Sequence, residues 1–403
     1  MRSSASTSEI ITASCSKTAF TASIRSRSLS LCISSAPAPT ISTLRSRAPM
    51  ISNWYPKSGR SSSRRLAEIL VAMRRRASGL GFTLAVVWLC TCITPAAAQN
   101  LKVPFAALSP NYAPLWIADQ AGFFKKYGLD VQLIYISAGS VIVPAILSGQ
   151  VDIANMSSAP ALTAWARGAE LSAVGVTSNR LLHVIMTRSS IKKPEELKNK
   201  KIGGDRYGSL SDLILRAALR HYNLVPDRDV AVIQSGGLPE RLGALKVGAV
   251  DGAIVTGDTA LEAEKLGFHK LIDLSQLPIQ YPSSTIIVSK SFLAAKRDIV
   301  KRFLRGWIEG IKTAKTDKEY TVSVMQKFLK TSDRSVLDKI FEVYKTVHEK
   351  IPIPDPKLMG VALTQLAATV PQTNPLKVED FTDRSLIAEL ESEGFIAKVY
   401  DGR

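Results

Sequence analysis

The sequence predicts an α/β fold, and three observations carry that expectation. Short apolar runs alternate with helical patterns from Leu101 to Val288, as βαβ units with a parallel sheet require. Turns rich in Ser and Gly follow the predicted strands and open the next helix. After Val288 the apolar spacing becomes helical almost to the end.

The elements follow in chain order. Leu101–Ala107 reads as a strand, and Ser109-Pro110 leads a helix from Tyr112 to Phe124. Leu129–Ile136 is the next strand. The stretch from Gly139 to Asn155, GSVIVPAILSGQVDIAN, organises its surroundings. Val141, Ile142, Ala145 and Ile146 recur at helical spacing, and Val151, Ile153 and Ala154 form a run suited to a buried strand. Ser157, Ser158 and Pro160 then open another helix. Leu171–Thr177 and Leu182–Thr187 read as strands. A second α/β unit starts near Ser189. It has a helix start at Pro194–Leu197 and a strand at Lys201–Gly204. A helix follows at Leu210–Tyr222, then a strand at Asp229–Gln234 and a helix leading from Gly237 to Leu245. The strand Asp251–Thr256, the helix Asp258–Leu266 and the strand end Lys270–Asp273 complete it. Thr285–Val288 returns the chain to the first unit. Helices are expected at Ile299–Ala314, Tyr320–Leu329, Val336–His348 and Leu386–Glu393.

The segment before this body differs from it. Residues 1–72 are dense in Ser and Arg and lack a sustained apolar period. They read either as a disordered, transit-like leader or as sequence upstream of a start at Met73, and the residues after Met73 favour the second. Arg74-Arg75-Arg76 is a basic n-region, Leu80 to Ile93 an apolar h-region, and Ala96-Ala97-Ala98 a small-residue cleavage site. The expected mature chain begins at Gln99. The apolar run is shorter than the ~18 residues of a spanning helix, which argues for a signal peptide over an anchor.

Removing residues 1–98 changes the composition. The whole chain has 52 Lys+Arg against 34 Asp+Glu; the remainder has 39 against 32, a net of +7 in place of +18. The basic balance therefore belongs mainly to the leader, and a nucleic-acid reading loses its support. Cys15, Cys32, Cys90 and Cys92 all precede Gln99, so disulfides, thiolate catalysis and cysteine metal sites are excluded from the expected mature chain. His183, His221, His269 and His348 show no metal-ligand spacing. No metal and no cofactor is expected, and no Ser-His-Asp order, phosphate loop or dinucleotide fingerprint appears.

Three segments carry a family resemblance. AILSGQVDIANMSSAPALTAWARGAEL, IKKPEELKNKKIGG and ALKVGAVDGAIVTG resemble the solute-binding proteins of nitrate/sulfonate/taurine and thiamine-precursor ABC importers. The resemblance covers roughly residues 101–345. It implies a two-lobed periplasmic binding protein type II-like fold. Each lobe would be a mixed, mainly parallel sheet flanked by helices, joined by two hinge crossovers near Arg188-Ser189-Ser190 and Gln280–Ser284. The lobes would be 99–188 with 284–403, and 189–283. It further implies a monomer that binds a small anionic or zwitterionic solute without chemistry. The solute would pass to an ABC permease and its ATPase, with membrane contact only through the permease. An alternative within the resemblance is binding or synthesis of the thiamine pyrimidine. The synthase depends on a cysteine-rich motif, and no cysteine follows Cys92. A regulator's effector domain, which shares the fold, would need an N-terminal helix-turn-helix where a secretion signal stands.

Candidate ligand groups are hydroxyls and backbone amides at the C-terminal ends of predicted strands, where helix N-termini favour an oxyanion. From the first unit they are Ser109, Asn111 and Tyr112, Gly139 and Ser140, Ser157 and Ser158, and Thr177 and Ser178. From the second they are Tyr207, Gly208, Ser209 and Ser211, Ser235 with Gly236 and Gly237, and Thr256 with Asp258. The Gly208-Ser209 turn is the foremost candidate, because Gly permits close backbone approach. Arg180 and Arg206 are candidate anion partners, and Asp258 would suit an amine. Any single Ser here also reads simply as a helix cap; recurrence at one edge is what shifts the balance. Trp116, Trp165 and Trp307 read as packing residues.

Overall fold

The computed structural model describes residues 99–366 and 376–402. The leader, the expected signal at 73–98 and the expected cleavage after Ala98 lie outside these residues. The first lobe begins with β1 (Gln99–Phe105), α1 (Ala113–Gln120), α2 (Phe123–Lys126) and β2 (Leu129–Tyr135). It continues with α3 (Gly139–Leu147), β3 (Ile153–Met156), α4 (Ser158–Trp165) and β4 (Leu171–Ser178). The helix expected from Tyr112 to Phe124 is broken, because Gly122 takes a φ of 73° and separates α1 from α2. Sequence spacing alone hides that break, since both segments keep one apolar face.

The second lobe holds β5 (His183–Thr187), β6 (Lys201–Gly204), α5 (Leu210–His221), β7 (Ala231–Gln234) and α6 (Leu238–Lys246). β8 (Gly252–Thr256), α7 (Gly257–Lys265) and β9 (His269–Asp273) complete it. β10 (Ser284–Ser289) returns to the first sheet. The helices that follow are α8 (Lys290–Ala295), α9 (Arg297–Thr316), α10 (Lys318–Leu329), α11 (Arg334–Val347) and α12 (Pro356–Leu366). The last two are α13 (Ser385–Ser392) and α14 (Phe395–Asp401). The strand expected from Asp229 starts at Ala231, because the Asp229 carboxylate accepts the Val225 N–H at 2.7 Å and holds a turn there. α12 is a helix the spacing did not reveal. Its approach, Ile351-Pro352-Ile353-Pro354-Asp355-Pro356, reads as a breaker, yet Pro356 occupies the first helical position, where Pro is tolerated.

The two sheets have orders β2-β1-β3-β10-β4 and β7-β6-β8-β5-β9. Both sheets are mixed, as expected, with parallel and antiparallel pairings in balance rather than mainly parallel. β10 runs antiparallel to β3 and β4, and β5 runs antiparallel to β8 and β9. These are the strands that follow the two crossovers. β5 therefore belongs to the second sheet, and the first crossover is 179–182, not the stretch near Arg188-Ser189-Ser190. An apolar run such as Leu182–Thr187 has the same pattern whichever sheet receives it. The second crossover, 274–283, includes most of the expected Gln280–Ser284.

Burial explains the strand sequences. β3, β4, β5 and β8 are buried at every residue and read as continuous apolar or small runs, whereas the edge strand β7 is mostly exposed. Trp116 and Trp307 are fully buried, and Trp116 stacks on Phe328 of α10 at 4.6 Å. α9 packs along α1 through Gly310. A Cβ there would lie 2.2 Å from the Pro114 carbonyl oxygen, so only Gly admits this approach. Among the described residues no helix is long and apolar enough to cross a membrane.

Candidate functional site

The edges of the two sheets face one cavity of about 40 Å³ between the lobes. A cavity needs roughly 10–15 Å³ to hold one water on this measure, so the closed cleft admits only a group of a few heavy atoms. From the first lobe it is lined by Ser109, Asn111, Tyr112, Ala138, Gly139 and Ser157. From the second it is lined by His183, Asp205, Ser209, Leu210, Ser211, Arg241 and Thr256. Each lobe aims several helix starts at the same space, because the loops after parallel strands emerge on one edge. Ala138 caps α3 with a φ of 75°, a conformation that costs about 1–3 kcal/mol for a non-glycine residue. The N–H groups of Gly139, Leu210 and Ser211 make no hydrogen bond within the described residues. Asn111 Oδ1 and His183 Nδ1 are buried there without a partner.

Arg241 is the dominant feature. It is 2% exposed, on the buried face of α6 between Leu238, Leu242 and Leu245. Its Nε donates to the Gly237 carbonyl at 3.2 Å and its Nη1 to the Ile254 carbonyl at 2.5 Å. Among the described residues no carboxylate lies within ion-pair distance of it. Burial lowers its pKa, partly offset by the more distant Asp205, Tyr135 and Glu240, yet a guanidinium stays charged at any ordinary pH. A buried charge without a counterion is costly unless something pairs with it. His183 supplies no second cation: burial, then Arg241, pushes its pKa down to about 3, so the ring is neutral. Asp205 is 6% exposed and accepts from Ser137 Oγ at 3.1 Å, across the lobes, and from the Arg206 N–H at 2.8 Å. The Tyr112 hydroxyl makes no hydrogen bond within the described residues, and burial, then Asp205 and Tyr135, raises its pKa. The site thus offers one buried cation, one buried carboxylate and neutral donors around them.

Eight of the eighteen sequence candidates meet in this cavity: Ser109, Asn111, Tyr112, Gly139, Ser157, Ser209, Ser211 and Thr256. The other ten do not line it; among them Gly237 lends its carbonyl to Arg241 Nε. The Gly208-Ser209 turn does not supply the expected amides. The Gly208 N–H is held by Asp212 Oδ2 at 2.9 Å and the Ser209 N–H by the Arg206 carbonyl at 3.0 Å. Ser209 Oγ caps α5 by accepting from the Asp212 N–H, so the turn serves its own helix. Ser140 approaches Gly208 across the lobes without lining the cavity. Ser158 and Ser178 bind the second crossover: the Ser158 N–H donates to the Pro282 carbonyl, and Ser178 Oγ lies 2.9 Å from Ser283 Oγ. Thr177 is buried in β4, with its carbonyl taken by the Glu349 N–H. Tyr207 is 68% exposed and sits against Arg216. Ser235 and Gly236 follow the exposed edge strand β7, and Ser235 Oγ donates to the Ile233 carbonyl. Asp258 lines a separate cavity and accepts from Tyr344 Oη at 3.2 Å. Arg180 and Arg206 are exposed, and neither lines the cleft. The candidates omitted His183, Asp205 and, above all, Arg241. Its signal was an arginine inside the helical apolar spacing Leu238, Leu242 and Leu245.

Comparison with known proteins places the chain. The family model described as NMT1/THI5 like matches residues 109–319. The protein YtlA of Bacillus subtilis (strain 168) is 24% identical over 277 residues, covering 66% of this chain and 81% of that protein. The taurine-binding periplasmic protein of Escherichia coli (strain K12) is 28% identical over 220 residues, covering 53% of this chain and 66% of that protein. The crystal structure of the periplasmic nitrate-binding protein NrtA from Synechocystis PCC 6803 matches with a TM-score of 0.64 at 17% identity. It covers 75% of this chain and 91% of that one, and shows the same two-lobed fold. This chain is a member of the NMT1/THI5-like family.

Proposed function

We propose that the chain is a periplasmic solute-binding protein of an ABC importer, monomeric and without enzymatic chemistry. It captures a small anionic or zwitterionic solute of the sulfonate, nitrate or taurine class between its lobes and delivers it to the permease. The observation that carries this reading is Arg241, a buried guanidinium in the interlobe cavity that makes no ion pair among the described residues. An oxyanion there would pair with it bidentately and accept from the nearby helix-start amides of Leu210 and Ser211. Asp205, on the same cavity, suits an amine at the solute's other end. The names of the taurine- and nitrate-binding relatives, the fold and the secretion signal read from the sequence support the same conclusion.

The small closed volume gives the mechanism. Solute enters with the lobes apart, docks on the neutral groups of the first lobe, and closure brings Arg241 onto the anion. Solute shifts the population by the difference in its affinity for closed and open forms. The test is thermal unfolding of the protein against alkanesulfonates, taurine, nitrate, carboxylates and pyrimidines. A solute at about a hundred times its Kd adds roughly 2.7 kcal/mol of stability. A stabilising anion recovered chemically unchanged is the expected result. A flat response to every anion, or turnover of any member of the panel, would overturn the reading.

A further inference from the structure

A second cavity, of about 350 Å³, lies between α7 of the second lobe and the C-terminal helix α11. That volume falls within the range of small-molecule sites, roughly 300–1,000 Å³. Its walls are mostly apolar: Leu182, Val184, Ala260, Leu261, Ile340 and Val343. Asp258 is its buried charge, 8% exposed at the start of α7. The carboxylate receives Tyr344 Oη at 3.2 Å and Thr259 Oγ1 at 3.4 Å, both neutral donors. Among the described residues no cation lies within ion-pair distance of it. The remaining charges nearly cancel, with Glu264 and Asp273 against Lys270 and Lys339; Lys270 already faces Glu264 at 3.9 Å. Burial raises the Asp258 pKa to about 6, so the group is mainly ionised at neutral pH and lacks a counterion there.

We propose that this cavity is a second binding site, taking a small primary amine with an apolar tail whose ammonium pairs with Asp258. The apolar walls match the tail, and the pairing meets the requirement of a desolvated carboxylate for an opposite charge. The site shares no lining residue with the interlobe cavity.

The test is calorimetric titration of the full chain at pH 7.5 with hexylamine, and with 1-hexanol as the uncharged match. Hexylamine should bind at least ten-fold tighter than hexanol. Asp258→Asn should bring the two within about two-fold, while Asp205→Asn should keep the wild-type preference. Should Asp258→Asn fail to fold, Val343→Trp narrows the cavity from an exposed position, and it should weaken hexylamine at least five-fold. Equal affinity for amine and alcohol in the wild type, or a preference that survives Asp258→Asn, would overturn the proposal. So would a preference lost in Asp205→Asn, which would put the amine in the interlobe cavity, or an affinity unchanged in Val343→Trp.

Discussion

The first lobe meets the interlobe cavity with Ser109, Asn111, Tyr112, Gly139 and Ser157, all uncharged at neutral pH; the second meets it with Arg241, Asp205 and His183. Both edges leave helix-start N–H groups open, so the difference lies in the charge the second lobe adds. In the first lobe the Gly139 N–H remains without a protein partner among the described residues. In the second, the turn before α5 spends its Gly208 and Ser209 amides on Asp212 and Arg206 but leaves those of Leu210 and Ser211 open, and charge is added from α6. Arg241 reaches the cleft from inside the apolar face of α6, anchored by two backbone carbonyls. Such anchoring fixes the guanidinium before solute arrives, so little side-chain entropy is lost on binding. The first lobe thus supplies a docking surface, and the second supplies the energetic difference between open and closed forms.

The largest expected effect breaks this comparison at the second lobe. Removing one partner of a buried charge pair costs about 2–5 kcal/mol. Arg241→Met should therefore weaken anion binding roughly thirty-fold or more, measured by titration. Arg241→Lys should fall between, because it keeps charge but loses the planar fork. Away from the cleft, Gly310→Ala drives a Cβ against the Pro114 carbonyl and should cost about 1–3 kcal/mol in denaturant unfolding, with solute affinity unchanged.

Acidification should weaken the fold. Burial, then Arg241 and Lys315 respectively, lowers the pKa of His183 and His348 to about 3 from an ordinary 6.5. The unfolded chain therefore binds more protons between those values. Stability is full above pH 6.5 and is lost as pH falls toward 3. Asp258, raised to about 6 from 3.8, opposes this over part of the range, one group against two. Unfolding free energy followed from pH 7 to pH 4 should decline, and His183→Asn should flatten the decline. The smallest expected effect belongs to the first lobe. Ser157 Oγ accepts the Ala159 N–H at 3.1 Å, so Ser157→Ala should cost about 1 kcal/mol of stability as a lost cap. Its effect on solute affinity should be far below that of Arg241→Met, and an equal effect would erase the proposed division between the lobes.

Most strands and helices were legible in the sequence because their periods are long and their caps local: Ser157 and Ser209 cap α4 and α5 as read. The sheet that receives β5 was not legible, since a fully buried strand carries no mark of its neighbours. The candidate site was legible as an edge but not as a set of contacts. Whether an amide at a turn faces solute or its own helix depends on a side chain such as Asp212, which takes the Gly208 N–H from four residues further on. Arg241 is hidden in the sequence because loop arginines such as Arg180 and Arg206 look equally suited to an anion, yet they stand exposed while the buried arginine sits in a helix. An arginine at an apolar helix position is costly to bury and calls for a partner, which is the mark that distinguishes it.

The most direct measurement is thermal unfolding of the wild type and Arg241→Met side by side, with and without the most stabilising anion from the panel. The expected shift is roughly 2.7 kcal/mol for the wild type at about a hundred times its Kd, and no more than about 0.9 kcal/mol for Arg241→Met at the same concentration. An equal shift in both proteins would show that the anion binds without the buried guanidinium, and would contradict its central role.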